Sequence, residues 1–310
     1  MKKFIAMTLA LTLSMSLMAC GGSDNSSTPA STDNAASAAS DTNATDAPAA
    51  ADTNTGAAAD TNANADANTD AAASAEDSDL AYVQDKGTLV VGITDVEPMD
   101  YKDADGNWIG FDADMAKAFG ESIGVEVEFI EIDWDNKIME LDGKTIDCVW
   151  NGMTLTSEVT SSMECSNAYC NNAQVVIVPA DVADQYQDTD SLADLTFAVE
   201  AGSAGEEMAE ELGLNYTPVK AQSDTLMEVA AGTSDAAIID SLMAAAMVGE
   251  GTGYADLTYT VGLNSEEYGV GFRKGSDLAV ALNDFFAASL ADGSMMACAE
   301  EYGVQAAIVE

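Results

Sequence analysis

The sequence predicts an α/β protein of two lobes, with mainly parallel sheets, a two-strand hinge and a cleft between the lobes. Two observations lead there. Short apolar strands alternate with amphipathic helices over residues 80–310, the order of sheets covered by helices. One helix–glycine–strand unit also occurs twice. Ile138-Met139-Glu140-Leu141, Gly143 and Asp147-Cys148-Val149-Trp150-Asn151 are matched by Leu226-Met227-Glu228-Val229, Gly232 and Asp235-Ala236-Ala237-Ile238-Ile239-Asp240. Both strands end in a polar residue, and open parallel sheets hold ligands beyond the carboxyl ends of their strands. Two such sheets set face to face put Asn151 and Asp240 on opposite walls of one cleft.

The elements follow in order. Residues 1–20 carry Lys2 and Lys3, an apolar run and then Leu17-Met18-Ala19-Cys20, which reads as a signal peptide ending in a lipidation site at Cys20. The apolar run is too short to favour a membrane span. Residues 21–79 are almost wholly Ala, Asp, Asn, Ser, Thr and Gly. Such a segment cannot bury enough apolar surface to offset its ordering entropy, so a disordered tether is expected. A flexible coil of that length reaches roughly 40–45 Å.

Thr88-Leu89-Val90-Val91-Gly92-Ile93 reads as a buried strand. Phe111, Met115, Phe119 and Ile123 recur at four-residue spacing, a helix stopped by Gly124. Val125, Val127 and Phe129 alternate with Glu126 and Glu128, a half-exposed strand; a short helix over 137–141 and a strand over 146–150 follow. Chain order suggests a first lobe over 80–172, a second over 173–261 and a return to the first over 262–310. The crossings fall near 171–176 and 260–270. A last helix with Leu278, Leu282, Phe285 and Leu290 on one face completes the first lobe.

Charge narrows the function. The chain has 54 acidic and 10 basic residues, a net charge of −44, and no histidine. Phosphate contacts need basic residues, so nucleic-acid binding is excluded. Imidazole bases and histidine metal sites are excluded as well, and no metal or other cofactor is expected. Cys148, Cys165, Cys170 and Cys298 show no zinc-type spacing. Export permits a Cys165–Cys170 disulfide, whereas Cys148 reads as a small core residue.

Seven segments in this order resemble the bacterial extracellular solute-binding proteins of family 3, the polar amino-acid binders. They are Gly110-Phe111-Asp112, Trp134-Asp135, Asn151-Gly152-Met153-Thr154-Leu155-Thr156, Ser166-Asn167-Ala168-Tyr169, Gly202-Ser203-Ala204-Gly205, Asp235 to Asp240 as quoted above, and Gly271-Phe272-Arg273-Lys274. The resemblance implies the type II periplasmic-binding-protein fold and capture of a small polar ligand. It also implies an ABC permease and ATPase as partners, a monomer anchored outside the cytoplasm through Cys20, and no turnover.

It further implies site residues, each with a plainer alternative. Asp240 falls where the family pairs a carboxylate with the ligand's ammonium, or else it caps a helix. Trp134 falls at an aromatic shelf, or else in the core. Asn151, Gly152 and Thr154 fall where backbone and hydroxyl groups meet the ligand, or else form a simple turn. Ser203 and Ala204 open a helix whose free N–H groups attract an anion, or Ser203 is only its N-cap. Asp95, with Glu97 and Tyr101, follows the first strand toward the cleft mouth, in a stretch about one residue short of the family pattern; solvated surface is as good a reading for Glu97. Trp150 either narrows the pocket or packs beneath it.

One departure matters. Three residues after Thr156 the family carries an arginine that grips the ligand's carboxylate; here Val159 stands there. Arg273, the one arginine of the chain, falls at a structural position remote from the site. Either N–H groups near Thr154 and Ala204, with hydroxyls, hold the carboxylate, or the ligand lacks one, and the acidic residues favour a cationic or amine-bearing ligand. A catalytic reading would need a placed acid–base pair, and Asp95, Glu97 and Glu158 show no diagnostic spacing. A sensing role in place of transport stays open.

Overall fold

The computed structural model describes residues 78–309. The signal peptide, Cys20 and nearly all of the tether lie outside the described residues. Folding starts slightly earlier than expected, because α1 (Asp79–Lys86) begins inside the stretch read as tether. Ser78 caps it by accepting from the Ala81 N–H, and Asp277 accepts from Ser78 Oγ and the Leu80 N–H. Asp79 pairs with Arg273 at 3.0 Å. These are polar tertiary contacts, which leave no apolar period in the sequence.

The first lobe contains β1 (Thr88–Ile93), a hairpin of β2 (Tyr101–Lys102) and β3 (Trp108–Ile109), α2 (Phe111–Ile123), β4 (Glu126–Glu131), α3 (Lys137–Asp142), β5 (Cys148–Val149), α4 (Ser157–Ser162) and β6 (Glu164–Cys165). The chain crosses through β7 (Cys170–Asn172). The second lobe contains β8 (Gln174–Pro179), β9 (Thr196–Glu200), α5 (Ala204–Glu211), β10 (Asn215–Val219), α6 (Gln222–Ala231), β11 (Ala236–Asp240), α7 (Ser241–Met247) and β12 (Leu257–Gly262). The chain returns through β13 (Glu266–Tyr268) and adds β14 (Gly271–Phe272), α8 (Leu278–Asp292) and α9 (Ser294–Glu301) to the first lobe. β7 and β13 pair antiparallel, with Asn172 opposite Glu266, so the two crossings form one hydrogen-bonded ribbon.

The sheets run β4-β1-β5-β14-β6 and β10-β9-β11-β8-β12. Each is mixed rather than mainly parallel. β1 pairs parallel with β4 and β5, and β9 with β10 and β11. β14 and β8, the strands that leave the crossings, pair antiparallel with their neighbours. They enter their sheets from the hinge end, opposite to the helix-linked strands. Strands as short as β6 and β14 carry no period that would show this in the sequence.

Each sheet is covered by apolar helix faces. Phe111, Met115 and Phe119 of α2 are buried. Trp150 packs against them and α8, its ring centroid 6.3 Å from Phe119 and 5.6 Å from Phe286. It lies beneath the cleft, not in it. Arg273 is buried in the first lobe and donates to the Ile146 carbonyl at 2.9 Å. Cys148, Cys165, Cys170 and Cys298 are free thiols, so Cys165 and Cys170 form no disulfide. Among the described residues, no helix is long and apolar enough to cross a membrane.

Candidate functional site

The carboxyl ends of the strands in the two sheets face one cleft, with about 460 Å³ of empty space including its mouth. The first lobe contributes Val96, Trp134, Lys137, the turn from Asn151 to Thr154, Thr156, Glu158 and Val159. The second contributes Gln174, Glu200, the stretch Gly202-Ser203-Ala204, Glu207, Gln222 and Asp240. Of the residues expected from sequence, Trp134, Asn151, Gly152, Thr154, Ser203, Ala204 and Asp240 are thus together.

Asp95 is not with them. It is exposed and lines a neighbouring groove with Glu131 and, from the second lobe, Lys220 and Asp224. Val96, one residue on, turns into the cleft instead. Successive residues of an extended chain face opposite sides, so a one-residue slip exchanges them. Glu97 and Tyr101 do not line the cleft either.

The first-lobe turn is built on buried carboxylates. Asn151 Oδ1 accepts from the Thr94 N–H and hydroxyl, and its Nδ2 donates to the Thr94 carbonyl and to Asp100 Oδ2 at 2.8 Å. The Gly152 N–H donates to Asp112 Oδ2 at 2.6 Å, and Tyr169 donates to the same oxygen at 2.7 Å. Burial pushes the Asp112 carboxyl up to about 6. The polar groups of Asn151 and the Gly152 N–H are therefore spent inside the lobe, and they position the turn. Gly152 is required by φ 54° and by the Tyr268 ring, which an added Cβ would meet at 3.2 Å. Thr154 donates its hydroxyl to Glu266 at 2.8 Å, while its N–H has no acceptor among the described residues.

Asp240 ends β11 and stands at the N-cap of α7 without capping it. Its carboxylate accepts from Asn172, from Gln174 at 2.7 Å and from Gln222 at 2.7 Å. The Asn172 and Gln174 amides also donate to Glu266, at 2.7 and 2.9 Å. This network ties Asp240 to the hinge ribbon. Burial, then the Glu266 charge, push the Asp240 carboxyl up to about 7 against the amide donors that favour ionisation.

Sequence reasoning missed Glu200 and Lys137. Glu200 ends β9 buried, and its Oε1 has no hydrogen-bond partner among the described residues. Burial and the Asp240 charge push its carboxyl up to about 8, with Lys137 acting against them. The strand-end rule that picked Asp240 picks Glu200 as well, after Phe197-Ala198-Val199. Lys137 gave no such signal, since a lysine opening a short helix ordinarily faces water. Here its Nζ donates to the Gly202 carbonyl across the cleft at 2.7 Å.

Ser203 is the N-cap of α5, accepting from the Glu206 N–H at 3.2 Å. Gly202 beside it has φ 71°, and an added Cβ would lie 2.7 Å from Asp135 Cα on the other lobe. The lobes also meet in the Lys220–Asp133 ion pair at 3.0 Å, though this pair is exposed and contributes little. Gly202→Ala should therefore hold the walls apart. Calorimetry should show ligand affinity about tenfold weaker, with the cooperative melt retained. Unchanged affinity would mean that the walls do not meet here around a ligand.

The comparisons place this architecture. The chain is 32% identical over 167 residues to the arginine-binding extracellular protein ArtP of Bacillus subtilis, covering 51% of this chain and 63% of ArtP. It thus spans less than two thirds of that relative. It is 27% identical over 224 residues to the L-cystine-binding protein TcyJ of Escherichia coli, covering 71% and 84%. Among solved structures, a mutant of ArgBP from T. maritima matches with a TM-score of 0.68 at 29% identity, over 72% of this chain and 98% of that one. The ancestral amino acid-binding protein AncCDT-1, a precursor of cyclohexadienyl dehydratase, matches at 0.66 and 31% identity, over 73% and 99%. The fold is the two-domain type II binding-protein fold of these structures. The family model matches residues 89–305, and the chain belongs to the bacterial extracellular solute-binding proteins, family 3.

Proposed function

We propose that this chain captures an amino acid with cationic or amine-bearing character for an ABC importer, held outside the cytoplasm by lipid on Cys20. The carrying observation is the charge of the cleft. Four carboxylates, Glu158, Glu200, Glu207 and Asp240, line it with one lysine, Lys137. A low-dielectric cleft with that balance favours ligands that bring positive charge. Trp134 adds an indole wall on which an aliphatic stem or a cation can rest. The named ligands of the relatives, arginine and cystine, both carry ammonium groups. A permease and an ATPase would receive the ligand.

Isothermal titration calorimetry of the full chain with L-arginine, L-histidine and L-cystine tests this reading. Saturable one-to-one binding of at least one of them, at micromolar Kd or tighter, is expected. Binding of none, with turnover of a prephenate-like substrate, would replace capture by catalysis.

A further inference from the structure

Lys137 is 5% exposed, and no ion pair among the described residues includes it. Its Nζ donates to two carbonyls, Gly202 at 2.7 Å and Trp134 at 3.4 Å, and lies 5.0 Å from the Trp134 ring centroid. An ammonium has three donors, so one is left over. A buried ammonium with no carboxylate in direct contact is costly. The same cavity is lined by two backbone donors, the N–H groups of Thr154 and Ala204, that meet no acceptor among the described residues. Ala204 opens α5, where the helix dipole is positive. Lys137, Thr154 and Ala204 come from three separate segments and line one space. The carboxylates that balance them, Glu200 and Asp240, lie on the second-lobe wall, and Glu200 keeps an unpartnered oxygen.

We infer that Lys137 is the cation that recognises a carboxylate of the captured ligand, with the Thr154 and Ala204 N–H groups completing that subsite. The ligand is then held as a zwitterion, its acid group toward Lys137 and its ammonium toward Asp240 and Glu200. Val159 on the same wall offers only apolar surface, so the positive charge comes from α3. This assignment rests on the amino-acid reading above and adds the residue that reads the acid group.

Three ligand pairs that differ in their carboxylates test it by calorimetry on the full chain: L-arginine against agmatine, L-histidine against histamine, and L-cystine against cystamine. Wild type should prefer at least one amino acid over its amine by tenfold or more. K137M should cut that preference at least tenfold by weakening the amino acid and leaving the amine unchanged or tighter. K137R should restore it, and K137Q, which keeps a donor for the Gly202 carbonyl, should behave like K137M. Melting curves report folding, so either K137M or K137Q suffices for the comparison. If Lys137 only latches the lobes together, acid and amine weaken alike and the inference fails. It fails too if both variants keep the preference. If wild type binds no amino acid of the panel, the functional reading itself falls and takes this one with it.

Discussion

Asp240→Asn should weaken binding of an amine-bearing amino acid by about 100-fold or more, roughly 3 kcal/mol. The substitution keeps shape and removes the negative charge at the end of β11. The amides of Asn172, Gln174 and Gln222 already aim their donors at this carboxylate, so they hold it in place for a cation from the ligand. Without the charge, an ammonium entering the cleft would lose its strongest acceptor in a site that excludes water. The free protein should still fold, because the variant also removes like-charge repulsion with Glu266 and Glu200. Calorimetry reads the affinity and a thermal melt reads folding. Affinity within threefold of wild type would remove Asp240 from ligand recognition.

Stability and affinity should respond to pH in opposite senses. The Asp240 carboxyl lies at about 7 against an ordinary 3.8, and Glu200 at about 8 against 4.5. Asp112 is raised to about 6, and Asp100 is raised well above its ordinary value, both first by burial. Between the ordinary and the raised values, the folded chain holds more protons than the unfolded one. Stability of the free protein therefore falls as pH rises through that window. The melting temperature should be higher at pH 5 than at pH 8. An ammonium ligand does the reverse, since it favours ionised Asp240 and Glu200 and expels their protons. Affinity should fall by up to about tenfold per pH unit for each group as pH drops below its raised value. Calorimetry at pH 6 in buffers of different ionisation enthalpy should show release of about one proton or more per ligand. Proton uptake, or tighter binding at pH 5, would contradict the electrostatics of the second-lobe wall.

Much of this was legible from local pattern. β1 coincides with the apolar run Thr88–Ile93, and the four-residue spacing of Phe111, Met115 and Phe119 is the buried face of α2. Local periodicity fixes such elements because burial repeats with them. The repeated helix–glycine–strand unit pointed to Asp240, and the segment opening α5 to Ser203 and Ala204. Other features depend on contacts between distant residues, which leave no period. The direction of β14 follows from the hinge, and the strand has only two residues. Asp95 and Val96 exchanged places through one residue of slip. The family pattern points Asn151 at a ligand, yet Thr94 and Asp100 use its amide. Lys137 is buried where it reaches the Gly202 carbonyl of the second lobe, and nothing in its own neighbourhood of sequence states that.

Capture by this cleft requires one guest to touch both walls, and a crystal structure of the full chain with whichever of L-arginine, L-histidine or L-cystine binds it most tightly tests this directly. The ligand should lie between Trp134 and Asp240, with its ammonium on Asp240 and its carboxylate within hydrogen-bond reach of Lys137. A ligand seated against one lobe alone, or in the outer groove beside Asp95, would contradict it.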